Sequence, residues 1–215
     1  GRIDDARRLL KGGPSVLGEA VNIRDELVDG ITLLRFEVIE RGLDAVRELK
    51  DEFGNLWKRA DEWKLKEPDV HDAILAKYML ACLISDRRLP VELLEKFIFN
   101  EEDYRMLLGM VYLVEEFYRL EHGVSRDKAL EELRKLIEKE SYKGKLVSSL
   151  GYLASIVLCI IERRLSDAGK SAEYVATRCP PLPGKLFGEL AEALKEGWPS
   201  ERVLEALVKL FYHHL

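Results

Sequence analysis

Four histidines, three cysteines and three pairs of adjacent arginines are the side chains of this sequence best suited to chemistry. The histidines are His71, His122, His213 and His214. A zinc-binding helix would show H-E-x-x-H, and a di-iron bundle would place Glu three residues before its His. Neither spacing occurs. Glu67 precedes His71 by one helical turn, but Pro68 lies between them. The four are read as solvent-facing residues near helix ends, so neither a metal nor another cofactor is implied.

Cys82 and Cys159 sit in apolar runs, where cysteine behaves as a small hydrophobe. Cys179 precedes Pro180, has no His near it in sequence, and has the most exposed context of the three. The odd count and the lack of any C-x-x-C pair suit a reducing, cytoplasmic setting. Gly169-Lys170-Ser171 has the ending of a phosphate-binding loop. Arg164 stands where the first glycine belongs, and a helical pattern precedes it where a strand is required, so that reading is rejected. No catalytic residue is assigned and an enzyme is not the favoured reading. A site assembled from sequence-distant residues stays open.

The arginine pairs are Arg7-Arg8, Arg87-Arg88 and Arg163-Arg164. The last two follow an acidic residue at the expected end of a helix. There they complement the helix dipole and make local ion pairs. The functional alternative is that Arg87, Arg88, Arg163 and Arg164 align into a stripe for anionic groups of a partner, nucleic acid included.

Charge argues against a general nucleic-acid surface. The net charge is −5. Residues 1–66 carry 13 basic and 14 acidic side chains, 67–140 carry 11 and 17, and 141–215 carry 10 and 8. No third is strongly basic. The composition, 47% hydrophobic and 34% charged, is that of a folded domain with a heavily charged surface. Gln is absent and Asn occurs only at 22, 55 and 100, a bias expected of a thermophilic protein. The longest apolar run, 146–161, is too short to span a bilayer, which needs roughly 20 residues. The charged start of the sequence does not read as a signal peptide. No membrane association is expected.

The elements that would position these residues are helices. Apolar residues recur at helical pitch almost throughout, and strand signals are nearly absent. Helices are expected over 3–11, 16–29 and 31–65. Others are expected over 69–86, 91–99, 101–122, 125–140, 145–165, 171–176, 185–196 and 201–213. Pro68, Pro90, Gly123 and the Cys179–Gly184 stretch separate several of them, and Pro199-Ser200 starts the last. In 31–65, Phe36, Ile39, Leu43, Val46, Phe53 and Trp57 fall at alternating spacings of the coiled-coil kind. That stripe needs a partner helix, in this chain or in another copy. Gly42 and Gly54 are candidate breaks.

A weak repeat accompanies the helices. Similar L-E-x-L-x-K patterns begin at 91, 130 and 204, and Ile84–Leu89 resembles Ile160–Leu165, 76 residues later. The offsets approximate multiples of about 38 residues, within the range of helical arrays. The expected fold is therefore all-α: a multi-helix bundle or a stack of antiparallel α-hairpins with a degenerate repeat. Residues 1–66 would hold the long heptad-like helix and 67–215 the hairpin array, together one continuous structural unit. The functional expectation is a helical interaction or scaffold module that binds another protein or itself as a homodimer. A nucleic-acid-associated protein using its arginine pairs is the alternative.

Overall fold

The computed structural model describes residues 23–64, 66–98 and 101–214. The expected helix over 3–11 and the Arg7-Arg8 pair lie outside them. The described residues are all-α: ten α-helices, one 3-10 turn and a minimal β-hairpin. No described helix is long and apolar enough to cross a membrane. The chain divides into two compact units, one ending before Glu101 and one beginning there.

The first unit contains α1 (Ile23–Arg41), α2 (Leu43–Glu48), α3 (Lys50–Glu62), α4 (Pro68–Asp86) and a 3-10 turn (Val91–Lys96). The segment read as one helix from 31 to 65 is three. Gly42, at φ 62°, adopts a left-handed conformation that costs glycine little and ends α1. Leu49 leaves helical geometry, at φ −97° and ψ 10°, between α2 and α3. Gly54 is not a break. It lies inside α3 where Tyr78 of α4 approaches, and a Cβ there would come within 2.9 Å of the tyrosine ring.

α4 is buried along most of its length, from Val70 to Ile84, because apolar residues occupy most of its faces. Pro68 fits its first turn, where a missing amide proton costs nothing. Arg24 of α1 reaches Glu67 and Asp69 at that end. His71 and Asp72 are wholly buried there. Asp72 accepts the Ile98 amide at 3.1 Å and lies 2.9 Å from His71 Nδ1. The carboxylate thus fastens the segment after the 3-10 turn onto α4. The amphipathic helix expected over 91–99 is this short 3-10 turn, which buries none of its residues. Without a covered face, a full α-helix gains little there.

The second unit runs through α5 (Glu101–Tyr118), α6 (Arg126–Lys139), α7 (Ser149–Ile161), α8 (Leu165–Ala176), α9 (Pro181–Leu194) and α10 (Glu201–His214). Each helix packs on the next in sequence as antiparallel neighbours, and α10 returns to touch α5 and α7. Gly109 sets the α5–α6 approach, since a Cβ would meet Leu133 at 2.9 Å. Between α6 and α7, β1 (Ser141–Tyr142) pairs with β2 (Lys145–Leu146). Lys143 and Gly144 both have positive φ, as a tight two-residue hairpin loop requires. The helix expected from 145 therefore starts at Ser149, with Ser148 capping the Gly151 amide at 2.9 Å.

Three helices end on an arginine in the left-handed region: α4 at Arg87, α5 at Arg119 and α7 at Arg163. After α5 the Leu120 amide bonds Glu115 O at 2.8 Å and Arg119 N bonds Glu116 O at 3.1 Å. After α7 the Arg164 amide bonds Cys159 O at 2.7 Å and Arg163 N bonds Ile160 O at 3.0 Å. Both are Schellman closures with arginine where glycine is usual. The resemblance between 84–89 and 160–165 thus coincides with a shared helix ending. The segments beginning at 91, 130 and 204 do not share a conformation, since the first is the 3-10 turn. The 38-residue period has no structural counterpart in them.

Glu115 holds the α5–α6 loop. It is buried, accepts the Gly123 amide at 3.0 Å and lies 3.5 Å from His122 Nδ1. His122 stacks on Tyr112 with centroids 4.7 Å apart. Burial raises the Glu115 carboxyl above its ordinary range, against the lowering effect of the loop amides and His122.

Two outcomes follow for stability. Arg119 makes no side-chain hydrogen bond or ion pair among the described residues, so Arg119→Gly removes only the left-handed cost. It should raise stability by about 1 kcal/mol. A urea midpoint that is unchanged or lower would contradict this. The second concerns pH. A carboxyl whose folded pKa is raised favours folding most when protonated. Its contribution is complete below the unfolded value of about 4.3 and declines as pH rises through the folded value. Glu115→Gln keeps an acceptor for Gly123 and should gain on the wild type as pH rises from about 4 through the raised folded value. Paired unfolding curves with a constant difference across that range would exclude it.

Candidate interaction surface

The six residues of the expected stripe do not stay together. Leu43, Val46 and Phe53 are buried in the first unit. Trp57 is half-buried, with its ring 5.6 Å from that of Tyr78 and nearly parallel to it. Phe36 is 42% exposed and Ile39 is half-buried. The turn at Gly42 resets the helical register, so residues before it and after it no longer share a face.

Upstream of Gly42, α1 has a covered inner face and a mixed outer one. The inner one is Leu27, Gly30, Ile31, Leu34, Glu37 and Val38, all buried. At helical pitch, Asp25, Val28, Asp29, Thr32, Arg35, Phe36 and Ile39 fall on the opposite side, within about a third of the circumference. Among them Val28, Phe36 and Ile39 are apolar. Val28 is 39% exposed, Asp25 and Asp29 are exposed, and Thr32 and Arg35 are half-buried. A large aromatic ring thus faces water on a helix whose other side is fully covered.

Arg35 is the electrostatic oddity of that face. Partial burial pulls its guanidinium pKa down from the ordinary value, and no hydrogen bond or carboxylate partner offsets this among the described residues. The group stays charged, because arginine cannot be deprotonated in the working range. Desolvating a charge without a partner is unfavourable. Asp29, nearer the start of the same helix, likewise has no ion pair among the described residues. The two charges are six residues apart, too far round the helix to satisfy each other within one chain.

The arginine pairs lie in different units. Arg87 donates to Ile84 O of its own helix. Arg163 pairs with Glu116 of α5, which also accepts the Trp198 indole N–H at 3.0 Å. Arg164 bonds Glu162 at 2.7 Å and Asp167 at 3.1 Å. Arg88 is exposed and has no ion pair among the described residues. Arg163 and Arg164 therefore link neighbouring helices, and Arg87 closes the end of its own.

The remaining polar groups are structural ties. Cys82 and Cys159 are buried and Cys179 is partly covered; burial pushes all three thiols up, away from the reactive thiolate. Gly169-Lys170-Ser171 lies inside α8. Ser149 Oγ is 3.3 Å from His214 Nδ1, a link from the start of α7 to the end of α10. No group of His, Cys, Asp and Glu suited to a metal occurs among the described residues. An open groove of about 460 Å³ lies between α9 and α10, with Glu192, Arg202, Glu205 and Lys209 over Gly188 and Ala206. Several of its charges are matched internally, as by Glu205 and Lys209 at 2.8 Å.

Of positions 25, 28, 29, 32, 35, 36 and 39 only Val28, Phe36 and Ile39 are apolar, so the outer face of α1 leaves no apolar stripe of its own in the sequence. Its exposure follows from the turn at Gly42, which separates Phe36 and Ile39 from the residues after it. Comparison of the chain with protein-family models, with curated proteins and with solved structures gives no match.

Proposed function

We propose that this protein is a helical interaction module and that the outer face of α1 is its contact surface. The observation that supports this most directly is Phe36, exposed beside a half-buried Arg35 that has no ion pair among the described residues, on a helix already packed on its other side. An aromatic ring and an arginine are the residue types that most often carry interface energy, and they do so when an opposing surface excludes water around them. A partner covering this face would bury Phe36, Val28 and part of Ile39, and would supply a carboxylate to Arg35. The gain for burying a large apolar side chain is about 1.5–3 kcal/mol.

The arginine pairs offer less for a nucleic-acid reading. Arg87, Arg163 and Arg164 are already engaged in helix ends or ion pairs.

A photo-reactive phenylalanine analogue placed at position 36 of the full chain tests the reading in its native host. A discrete protein adduct is expected from position 36, and none from the exposed control position Glu138. Equal labelling at both positions, or none at position 36, would remove the outer face of α1 as a contact surface.

A further inference from the structure

We propose that one end of the second unit, where α7 begins and α8 ends, binds single-stranded nucleic acid. This site is independent of the contact surface on α1. Its centre is Tyr174 of α8, 45% exposed. The Tyr152 ring of α7 lies 5.6 Å from the Tyr174 ring. The Arg178 guanidinium lies over Tyr174, with its carbon 3.8 Å from the ring centroid. Arg178 is exposed and its side chain has no hydrogen bond or ion pair among the described residues, so its N–H groups are available to a ligand. Lys170, Tyr174 and Arg178 follow one another at four-residue spacing. They therefore run along one face of α8 and the turn after it, over about 12 Å. The β1–β2 hairpin stands at the same end, because it leads directly into α7. Its Tyr142 is 64% exposed, and the Lys143 ammonium lies 5.2 Å from that ring.

Charge and ring chemistry together select the ligand. In a chain where most cations reach a carboxylate, Lys143, Lys145, Lys170 and Arg178 are exposed and have no ion pair among the described residues. Of the carboxylates close by in sequence, Glu140 accepts the Ser148 hydroxyl, Glu173 borders Lys195 in the cleft between α8 and α9, and Glu138 stays in water. Cations left open in this way suit a polyanion. An acidic peptide would use the cations alone. A nucleic acid uses the rings as well, because every base has a π-face that stacks on tyrosine or on an arginine plane. Such stacking requires bases that are not paired with each other, so a single strand is favoured over a duplex. The chain as a whole carries a net charge of −5, so affinity rests on these local contacts and is modest.

The test is fluorescence anisotropy of a labelled, mixed-sequence RNA strand of about a dozen nucleotides, titrated with the full chain at about 50 mM salt. Half-saturation is expected between about 1 µM and about 100 µM. Log affinity should fall against log salt with a slope between about −2 and about −3, the value for three or four phosphates neutralised on a single strand. Tyr174→Ala and Arg178→Ala should each weaken binding about tenfold. Arg178→Lys should keep the salt slope without recovering the affinity, because it retains the charge and loses the plane. Arg119→Gly removes an equally open cation at the far end of α5 and should bind as the wild type does. These positions are exposed, and unchanged thermal unfolding of each variant confirms that it folds. No binding at low salt overturns the proposal. So does binding that Tyr174→Ala and Arg178→Ala leave unchanged, or a duplex held as tightly as the single strand. Polyglutamate or anionic lipid vesicles that compete as well as unlabelled RNA would also overturn it, in favour of an acidic protein or a membrane surface. None of these results bears on the α1 contact, which position 36 reports separately.

Discussion

A helix with apolar residues on two faces needs two neighbours, and this requirement shapes both units. α4 carries apolar residues nearly all round, so the first unit forms about it. α7, the most apolar helix of the second unit, is enclosed by the helices that precede and follow it and is touched by α10. α1 has the same demand and meets it on one side only. Its inner face is buried against its own unit, while Phe36 and Val28 remain in contact with water. The uncovered half of that demand is the physical reason for placing the protein contact on α1.

The rest of the molecule is held by close approach and by helix-end chemistry. Gly54 and Gly109 bring backbones near enough for Tyr78 and Leu133 to fill the space. Left-handed arginines end α4, α5 and α7, and at Arg163 the side chain ties its helix end to Glu116 of a neighbouring helix. Glycine would satisfy the backbone there at lower cost, but it has no guanidinium to reach Glu116. Buried carboxylates serve a related purpose. Asp72 holds the Ile98 amide and Glu115 the Gly123 amide, so two segments without helical hydrogen bonds keep their donors satisfied. These groups have structural partners, which is why they read as fasteners and not as acids or bases for a substrate.

Much of the architecture was legible from residue types alone. The all-α class, the central position of α4, the capping by Ser125 and the break at Gly42 follow from periodicity, composition and turn chemistry. The misplaced features share a cause: local patterns were read without knowing which face would be covered. Val91–Lys96 have an amphipathic pattern but bury none of their residues, and a 3-10 turn forms there. Lys145-Leu146 pairs with Ser141-Tyr142 because Lys143 and Gly144 turn the chain back, a signal too short for periodicity to register. The coiled-coil stripe ran through Gly42 on paper. In three dimensions Leu43, Val46 and Phe53 enter the core while Phe36 does not, because a positive φ at one residue rotates everything after it. Arg35 could not be singled out at all, since its significance lies in having no counter-charge, which only the folded structure can reveal.

The account turns on whether water reaches the outer face of α1 in solution. Hydroxyl-radical footprinting of Phe36 in the full chain, in the host cell and in the purified protein as its concentration rises, addresses this directly. If the face is a contact surface, oxidation of Phe36 is lower in the intact host cell than in the dilute purified protein, while that of the exposed Tyr142 is the same in both. Equal oxidation of Phe36 in the two settings, and at every protein concentration, would contradict it.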